Sequence, residues 1–374
     1  MRLPYNAIRN TCHTIKSVVK SVIKSVPGKN NMLLRYIVRR LLLMILVLVG
    51  VSIVTFAITH VVPSAPAAMW IGPHATQEQI DRVNEEMGFD RPVAVQYFKY
   101  MKNLLQGDLG VSLRTKQPVR KELARRFSAT FELITLSMLI AVIVGVPLGI
   151  FSATHKDSWA DRLLRLFSIS GVSIPSFFLA MLLQLLFAST WRLLPLQGRI
   201  DSEILSESPI TQITGFYLLD SLGTGNWVAL KSSLSHLILP VFAIVFTSLA
   251  VVTRMARSAM IEILNEDYVR TARAYGLSRP LVEYKYAFKN ALLPVITVLG
   301  LSYGYMLGGT FFIESMFDLP GLGRFAYTSI IRNDFPSVMG VTLLFAASFI
   351  LVNLIVDLIY FGVDPRIRLK PTDT

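Results

Sequence analysis

The segment of this sequence best equipped to do work runs from residue 254 to residue 294. It reads Arg254-Met-Ala-Arg-Ser-Ala-Met-Ile-Glu262, then Glu266-Asp-Tyr-Val-Arg-Thr-Ala272-Arg-Ala-Tyr-Gly276-Leu-Ser-Arg-Pro280, and closes on Asn290-Ala-Leu-Leu-Pro294. These residue types suit mechanical contact better than bond chemistry. Residues 258 to 275 are good helix material, Gly276 is placed for a left-handed C-terminal cap, and Pro280 prevents simple continuation. The spacing predicts a short helix, a turn and a second helix. The small side chain of Ala272 would permit close approach to a cleft, and Gly276 would let the chain turn back. A solvated basic connector is the bland alternative, and charge and glycine placement alone do not separate the two.

Other kinds of chemistry find little support. No G-x-x-x-x-G-K-[ST] run occurs, so the chain cannot cradle ATP phosphates by the usual glycine-rich loop. His13, His60, His74, His155 and His236 are scattered, and Cys12 is the single cysteine, which excludes an intrachain disulfide and a cysteine metal cluster. No hydrolase nucleophile motif is present. The sequence therefore predicts no catalytic residue, no metal and no cofactor held by this chain.

The elements that must position the 254–294 segment are written in the hydropathy. Of 374 residues, 53% are hydrophobic and only 16% charged, too apolar for an ordinary soluble enzyme, so the bilayer is the natural solvent. Six charge-free stretches approach the roughly 20 residues needed to cross a bilayer core. They are 41 to 59, 133 to 153, 166 to 190, 237 to 253, 291 to 313 and 336 to 356, and the fourth needs its flanks to span. Backbone amides in lipid must pair within their own segment, so these runs are expected to be helices.

Nine cations precede residue 41, which places the N-terminus in the cytoplasm. Six spans return the C-terminus to the same side. The segment 254–290 then falls inside with seven cations, whereas the loops 191–236 and 314–335 fall outside with three and two. The expected organisation is a basic extension over 1–32, a first transmembrane helix over 33–62, an external segment over 63–128 read as a small folded unit, a core over 129–369, and a short tail. Within the extension, Ile15, Val18, Val19, Val22, Ile23 and Val26 share one helical face beside Lys16, Lys20 and Lys24. That pattern suits an amphipathic helix on the inner leaflet, although Ser and β-branched residues are poor helix formers and a disordered tail is the alternative.

The run from Tyr268 to Gly276 resembles the cytoplasmic signature loop of the permeases of bacterial ATP-binding-cassette (ABC) importers, in its oligopeptide/dipeptide branch. Ala272 and Gly276 match the alanine and glycine of that pattern, while Arg270 and Thr271 stand where its generic form has glutamate and alanine. The resemblance extends over about residues 33 to 369. It includes Gly88-Phe-Asp-Arg-Pro92, Gln96-Tyr97, Gly107-Asp-Leu-Gly110 with Ser112, Pro118-Val119, Thr130 with Glu132 opening the second helix, and Ile174-Pro-Ser-Phe-Phe178 within the third. Leu194-Pro-Leu-Gln-Gly-Arg199, Leu319-Pro-Gly-Leu-Gly-Arg324, Arg332-Asn-Asp-Phe-Pro336 and Asp364-Pro-Arg-Ile-Arg368 complete it. Pro63-Ser-Ala-Pro66 departs from the family, which usually has glycine and aspartate between the prolines.

The resemblance implies an all-α transmembrane fold, a six-helix type I ABC importer permease with an external segment between helices 1 and 2. It implies a prokaryotic plasma (inner) membrane protein forming half of a peptide pathway. A second homologous permease, two ATPase subunits carrying ATP and Mg, and an extracytoplasmic binding protein are the implied partners. The coupling residues would be Glu266, Asp267, Tyr268, Thr271, Ala272, Gly276 and Leu277. Nickel chelates, glutathione or oligosaccharides are the other cargoes of similar chains.

Several intramembrane features fit helix packing. Gly145 and Gly149, and Gly300, Gly304 and Gly308, recur at four-residue spacing on one face each, the pattern of close helix contact. Pro175 is expected to bend the third span, as a static kink or as a hinge. Glu314 and Asp318 could meet a peptide amine, but solvated loop carboxylates are the preferred reading. Asp357 is expected to pair with an arginine at the inner interface. An ion-coupled secondary transporter or channel is the competing class, and the absence of Asp, Glu, Lys and Arg from the six central stretches weighs against it. A nucleic-acid binder would rest on the net charge of +13 alone, and the cations are divided among loops.

Overall fold

The computed structural model describes residues 32–61, 76–87 and 90–363, which form helices and connecting loops without a strand. The N-terminal amphipathic stretch, the Pro63–Pro66 turn and the run from Asp364 to Arg368 lie outside the described residues. Five helices are long and apolar enough to cross a membrane: α1 (Met32–Val61), α4 (Val119–Thr154), α9 (Trp227–Leu264), α11 (Leu281–Met316) and α13 (Phe335–Val363). The pair α5 (Trp159–Ser173) and α6 (Ser176–Thr190) supplies a sixth span if the two are taken as one.

That pair corrects the expectation of one helix with an internal proline. Pro175 lies between the two helices, which meet at 99°. Its ring disfavours helical geometry at the preceding residue, and Ile174 is extended at φ −89°, ψ 119°. The second span also begins earlier than expected. Pro118 fixes φ at −55° and starts α4 at Val119, so Thr130 and Glu132 sit in its fourth turn, and a boundary at 128/129 falls inside the helix. As expected, the flanks lengthen the fourth span, giving α9 38 residues with Asn226 accepting the Ala229 N–H at 3.0 Å.

α9 runs through the middle of the molecule, packed on α4, α5 and α11. One apolar cluster joins Leu133, Ile134, Val241, Ile244 and Leu307, and a second joins Val146, Ile150, Val252, Ala256 and Met260. Between α4 and α9 the backbones approach so closely that a Cβ on Gly149 would lie 2.5 Å from the Ala256 Cβ and 2.6 Å from the Thr253 carbonyl oxygen. Gly145 meets Leu249 and Val252 in the same seam. The expected glycine packing on α11 is only partly present. Gly300 and Gly304 abut Val356 and Phe349 of α13, whereas Gly308 faces open space.

The segment between the first two spans contains α2 (Gln77–Met87) and α3 (Val93–Leu105), and α3 has no fully buried residue. Among the described residues, α3 is held by contacts with elements outside the segment. The Ser52 hydroxyl of α1 lies 2.8 Å from that of Tyr97, and the Phe56 ring packs edge-on against Tyr97. Farther along, Asp334, fully buried at the head of α13, accepts the Ser112 hydroxyl at 2.5 Å and the Leu113 N–H at 2.9 Å.

Candidate functional site

The 254–294 segment forms an elbow. The expected helix over 258 to 275 is in fact two: α9 ends at Leu264, and α10 (Asp267–Ala274) restarts after an extended Glu266 at φ −67°, ψ 147°. Asn265 closes the first helix, its side-chain amide donating to the Ile261 carbonyl at 3.0 Å. Such self-bonding is why asparagine favours helix ends over interiors. Gly276 takes the left-handed conformation, φ +76°, as its position predicted. Its N–H donates to the Arg273 carbonyl at 2.9 Å, and the Leu277 N–H reaches the Ala272 carbonyl at 3.3 Å. Pro280, beyond the end of α10 as expected, opens α11 at φ −60°, ψ −37°, because a proline at a first helical turn lacks only an N–H that would go unpaired there.

The eight residues of α10 are anchored at one point. Val269 is fully buried, and the Tyr268 hydroxyl accepts the Asn290 side-chain amide at 2.8 Å. Glu266, Asp267, Thr271, Gly276 and Leu277 are exposed, Ala272 is half-buried, and Tyr275 is 83% exposed. The elbow therefore puts four of the seven expected residues on a largely exposed helix, with Glu266 at its start and Gly276 and Leu277 in the turn that follows it. Beside it, Arg273, Leu277, Arg279, Val282 and Glu283 line a cleft that reaches Thr154 at the end of α4.

Behind the elbow lies a buried ion pair that sequence reasoning missed. Asp161 of α5, with no exposed side-chain surface, accepts the Arg257 Nε at 2.7 Å and Nη2 at 3.0 Å. It also accepts the Ser152 hydroxyl at 2.5 Å and the Asp157 N–H at 3.0 Å, and the Arg165 Nε lies 3.6 Å away. One carboxylate thus ties α4, α5 and α9 together two turns before the elbow. The available signal was weak, an acidic residue among the arginines of the loop between two spans, which in a loop can equally be solvated. At the same end of the molecule Asp357 pairs with Arg40 at 2.7 Å, the arginine partnership expected of it.

The opposite end carries its own polar locks. Glu314, preferred above as a solvated carboxylate, is fully buried. It accepts the Thr130 hydroxyl at 2.6 Å and the Arg324 N–H at 2.9 Å, wrapped by the Leu319–Arg324 turn. A peptide amine has no route to it, and only Asp318, paired with Arg324 at 2.5 Å, fits the exposed reading. Glu132 accepts Arg199 at 2.6 Å and the Leu218 N–H at 2.7 Å, and the Arg199 guanidinium stacks on Tyr217 at 3.7 Å. Asp220 gathers the N–H groups of Ile213, Thr214 and Gly215 and the Thr214 hydroxyl. Burial pushes the Asp220 carboxyl up, but those four donors outweigh it and hold the group below the usual carboxylate range. Among the described residues no group of histidine, cysteine and carboxylate side chains is arranged to hold a metal ion.

Residues 145–369 match the family described as the inner membrane component of binding-protein-dependent transport systems, and residues 33–134 match its N-terminal counterpart. The chain belongs to this family. It is an ABC importer permease of the type I fold, and a multi-pass inner membrane protein. The probable D,D-dipeptide transport system permease protein of Escherichia coli (strain K12) is 44% identical over 324 residues, 87% of this chain and 94% of that protein. The dipeptide transport system permease protein of Alkalihalophilus pseudofirmus is 43% identical over 336 residues, 90% of this chain and all of that protein. The glutathione transport system permease protein of Pectobacterium atrosepticum is 37% identical over 338 residues, 90% and 100% of the two chains. This permease therefore matches its relatives over almost their full length, elbow included.

Proposed function

We propose that this permease forms half of the pathway of an ATP-driven importer of dipeptides or short peptides, with α10 as the contact through which separate ATPase subunits drive it. The observation that carries the reading is the elbow: an exposed helix anchored at Val269, joined by a short turn to a transmembrane helix on each side. Peptide is favoured over glutathione because the relatives named for dipeptides are the more similar, at 39–44% against 36–37% identity. In this reading the α10 end faces the cytoplasm, following the basic residues of the elbow and the N-terminal extension. A second, related permease completes the pathway, ATP and Mg sit on the ATPase chains, and an external binding protein delivers the cargo.

The mechanics follow from the packing. Closure of the ATPase pair would push Ala272 and its neighbours, and the displacement would pass into α9 across Asn265 and into α11 across Pro280. Asp161 and Arg257 would carry it from α9 into α5. ATP and cargo then shift a population between two packed arrangements.

The test is Gly276→Val. Nothing lies within 4 Å of the added Cβ, so the substitution attacks only the left-handed backbone, at a cost of about 1–3 kcal/mol. ATP-driven peptide uptake by the reconstituted complex should be lost while membrane insertion is retained. Normal uptake by the variant would remove the elbow from the mechanism. Concentration of solute by the purified chain alone, on an ion gradient, would replace the ABC reading with a secondary transporter.

A further inference from the structure

The membrane faces of this protein that lack a neighbour are not alike. On α1 the exposed side chains are aliphatic, Ile45, Val54 and Ile58 among them, and on α4 Ile143 is 69% exposed. Such faces suit lipid. Of the positions of α11 beyond residue 293 that are exposed (294, 297, 301, 305, 308, 309 and 312), the five at 297, 301, 305, 308 and 312 recur at spacings of three and four and make one continuous stripe. Their residues are Thr297, Leu301, Tyr305, Gly308 and Phe312. Tyr305 is 82% exposed, and its hydroxyl has no hydrogen-bond partner among the described residues. It lies eleven residues before Met316, which places it roughly 16 Å from that end of the helix and so deep in the hydrocarbon region.

A phenol hydroxyl left without a partner in hydrocarbon costs several kcal/mol, on the order of the penalty for any unpaired polar group there. At Gly308 the backbone itself is bare, with nothing within 4 Å of where a Cβ would stand. The hydroxyl is tolerated where water or a solute supplies its missing bond, and the open space at Gly308 leaves room for one. The broken third span contributes to the same face, because the 99° turn after Ile174 brings Phe177 within 5.6 Å of Phe312, ring centre to ring centre.

We infer that the Thr297–Phe312 stripe of α11 is the wall of the solute pathway, with Tyr305 the residue that contacts the passing molecule and the Phe177–Phe312 pair its constriction. This rests on the permease reading above and deepens it. The stripe has no charge, so it has no affinity for one kind of ionised side chain. Its hydroxyl donates and accepts, its glycine leaves open space, and its rings offer flat apolar surface. That chemistry suits a peptide recognised through its backbone, with side chains of many kinds tolerated.

The experiment uses cysteine accessibility in the complete complex, reconstituted in bilayers. Cys12 is the only cysteine of this chain, so Cys12→Ser removes its native thiol and labelling is read on this chain alone. Tyr305→Cys is then exposed to a charged methanethiosulfonate reagent that does not enter lipid, with Ile143→Cys as the lipid-facing control. A thiol reacts as its thiolate, which requires water, so Tyr305→Cys should label about tenfold faster or more. Its rate should also change when the ATPases are trapped with vanadate. Leu301→Cys, one turn away, is the second reporter should Tyr305→Cys fail to assemble. Labelling of both no faster than Ile143→Cys, in every nucleotide state, overturns the inference and leaves the stripe to lipid or to a protein partner. Because labelling requires no transport, a loss of peptide uptake in the unsubstituted complex would count against the function alone.

Discussion

Replacing Asp161 by alanine removes the acceptor of the Arg257 fork, of the Ser152 hydroxyl and of the Asp157 N–H in one step. Breaking a buried ion pair from one side costs about 3–5 kcal/mol, mostly because the surviving charge stays buried. Arg257 retains 19% exposure of its side chain, so water relieves part of that penalty and the lower end, about 3 kcal/mol, applies. For a large helical domain this lowers the midpoint of thermal unfolding by about 6 °C. Arg257→Ala should be worse, since Asp161 has no exposed surface and keeps only Arg165, 3.6 Å away, as a charged partner beside the Ser152 and Asp157 donors. Removing both partners should restore much of the loss, because the stranded charge goes with them. The assay is thermal unfolding of the assembled complex for the two single variants and the double. If the double variant loses the sum of the single losses, the pair is not coupled, and Asp161 is not what joins α5 to α9.

Other consequences are as direct. Gly321→Ala would drive its methyl into the Glu314 carboxylate; the Leu319–Arg324 turn should unwrap and protease should cut there, while α10 is unaffected. Gly149→Ala forces apart backbones that meet at Thr253 and Ala256, an overpacking cost of about 1–3 kcal/mol read as lowered thermal stability of the complex. Asp220, held below the usual carboxylate range, contributes stability that is complete at neutral pH and lost as pH falls through its lowered pKa. Limited proteolysis of the loop 209–226 should therefore rise as pH falls below the usual carboxylate range, and Asp220→Asn should be cut at neutral pH.

The spans were legible because a bilayer imposes a length and an apolar content that any segment must meet. The glycine turn at 276 was legible because its conformation is a local property. Local signals also misled. Counting charge-free residues put the start of the second span at Leu133, yet Arg120 to Arg126 are helical. Val119, Glu122 and Leu123 are buried on one face, where Glu122 pairs with Arg126. Pro175 announced a bend, but a uniformly apolar run carries no information on whether it turns by a little or by 99°. The pairings of Asp161 with Arg257, Glu132 with Arg199 and Glu314 with Thr130 join residues 67 to 184 positions apart. Only the fold brings them together.

The same pairings decide how a push on the elbow could travel. α9 meets α4 at Gly145 and Gly149 and α5 at Gly171, where an added Cβ would come within 2.5 Å of that of Ala250. Contacts this close interlock the helices, since backbones in register cannot slide without steric clash. Asp161 adds an electrostatic tie across all three. α4, α5 and α9 are therefore expected to tilt as one block, and compliance must lie at its edges. Asn265 and Gly276 provide it at the elbow, as exposed turns on either side of α10. On α11 the glycines above Gly304 leave open space instead of a seam, so that helix can change its distance from whatever faces it without breaking a packed contact. A rigid block joined to a flexible elbow converts a local displacement into a tilt of three helices, whereas a uniformly soft bundle would absorb it within a turn or two.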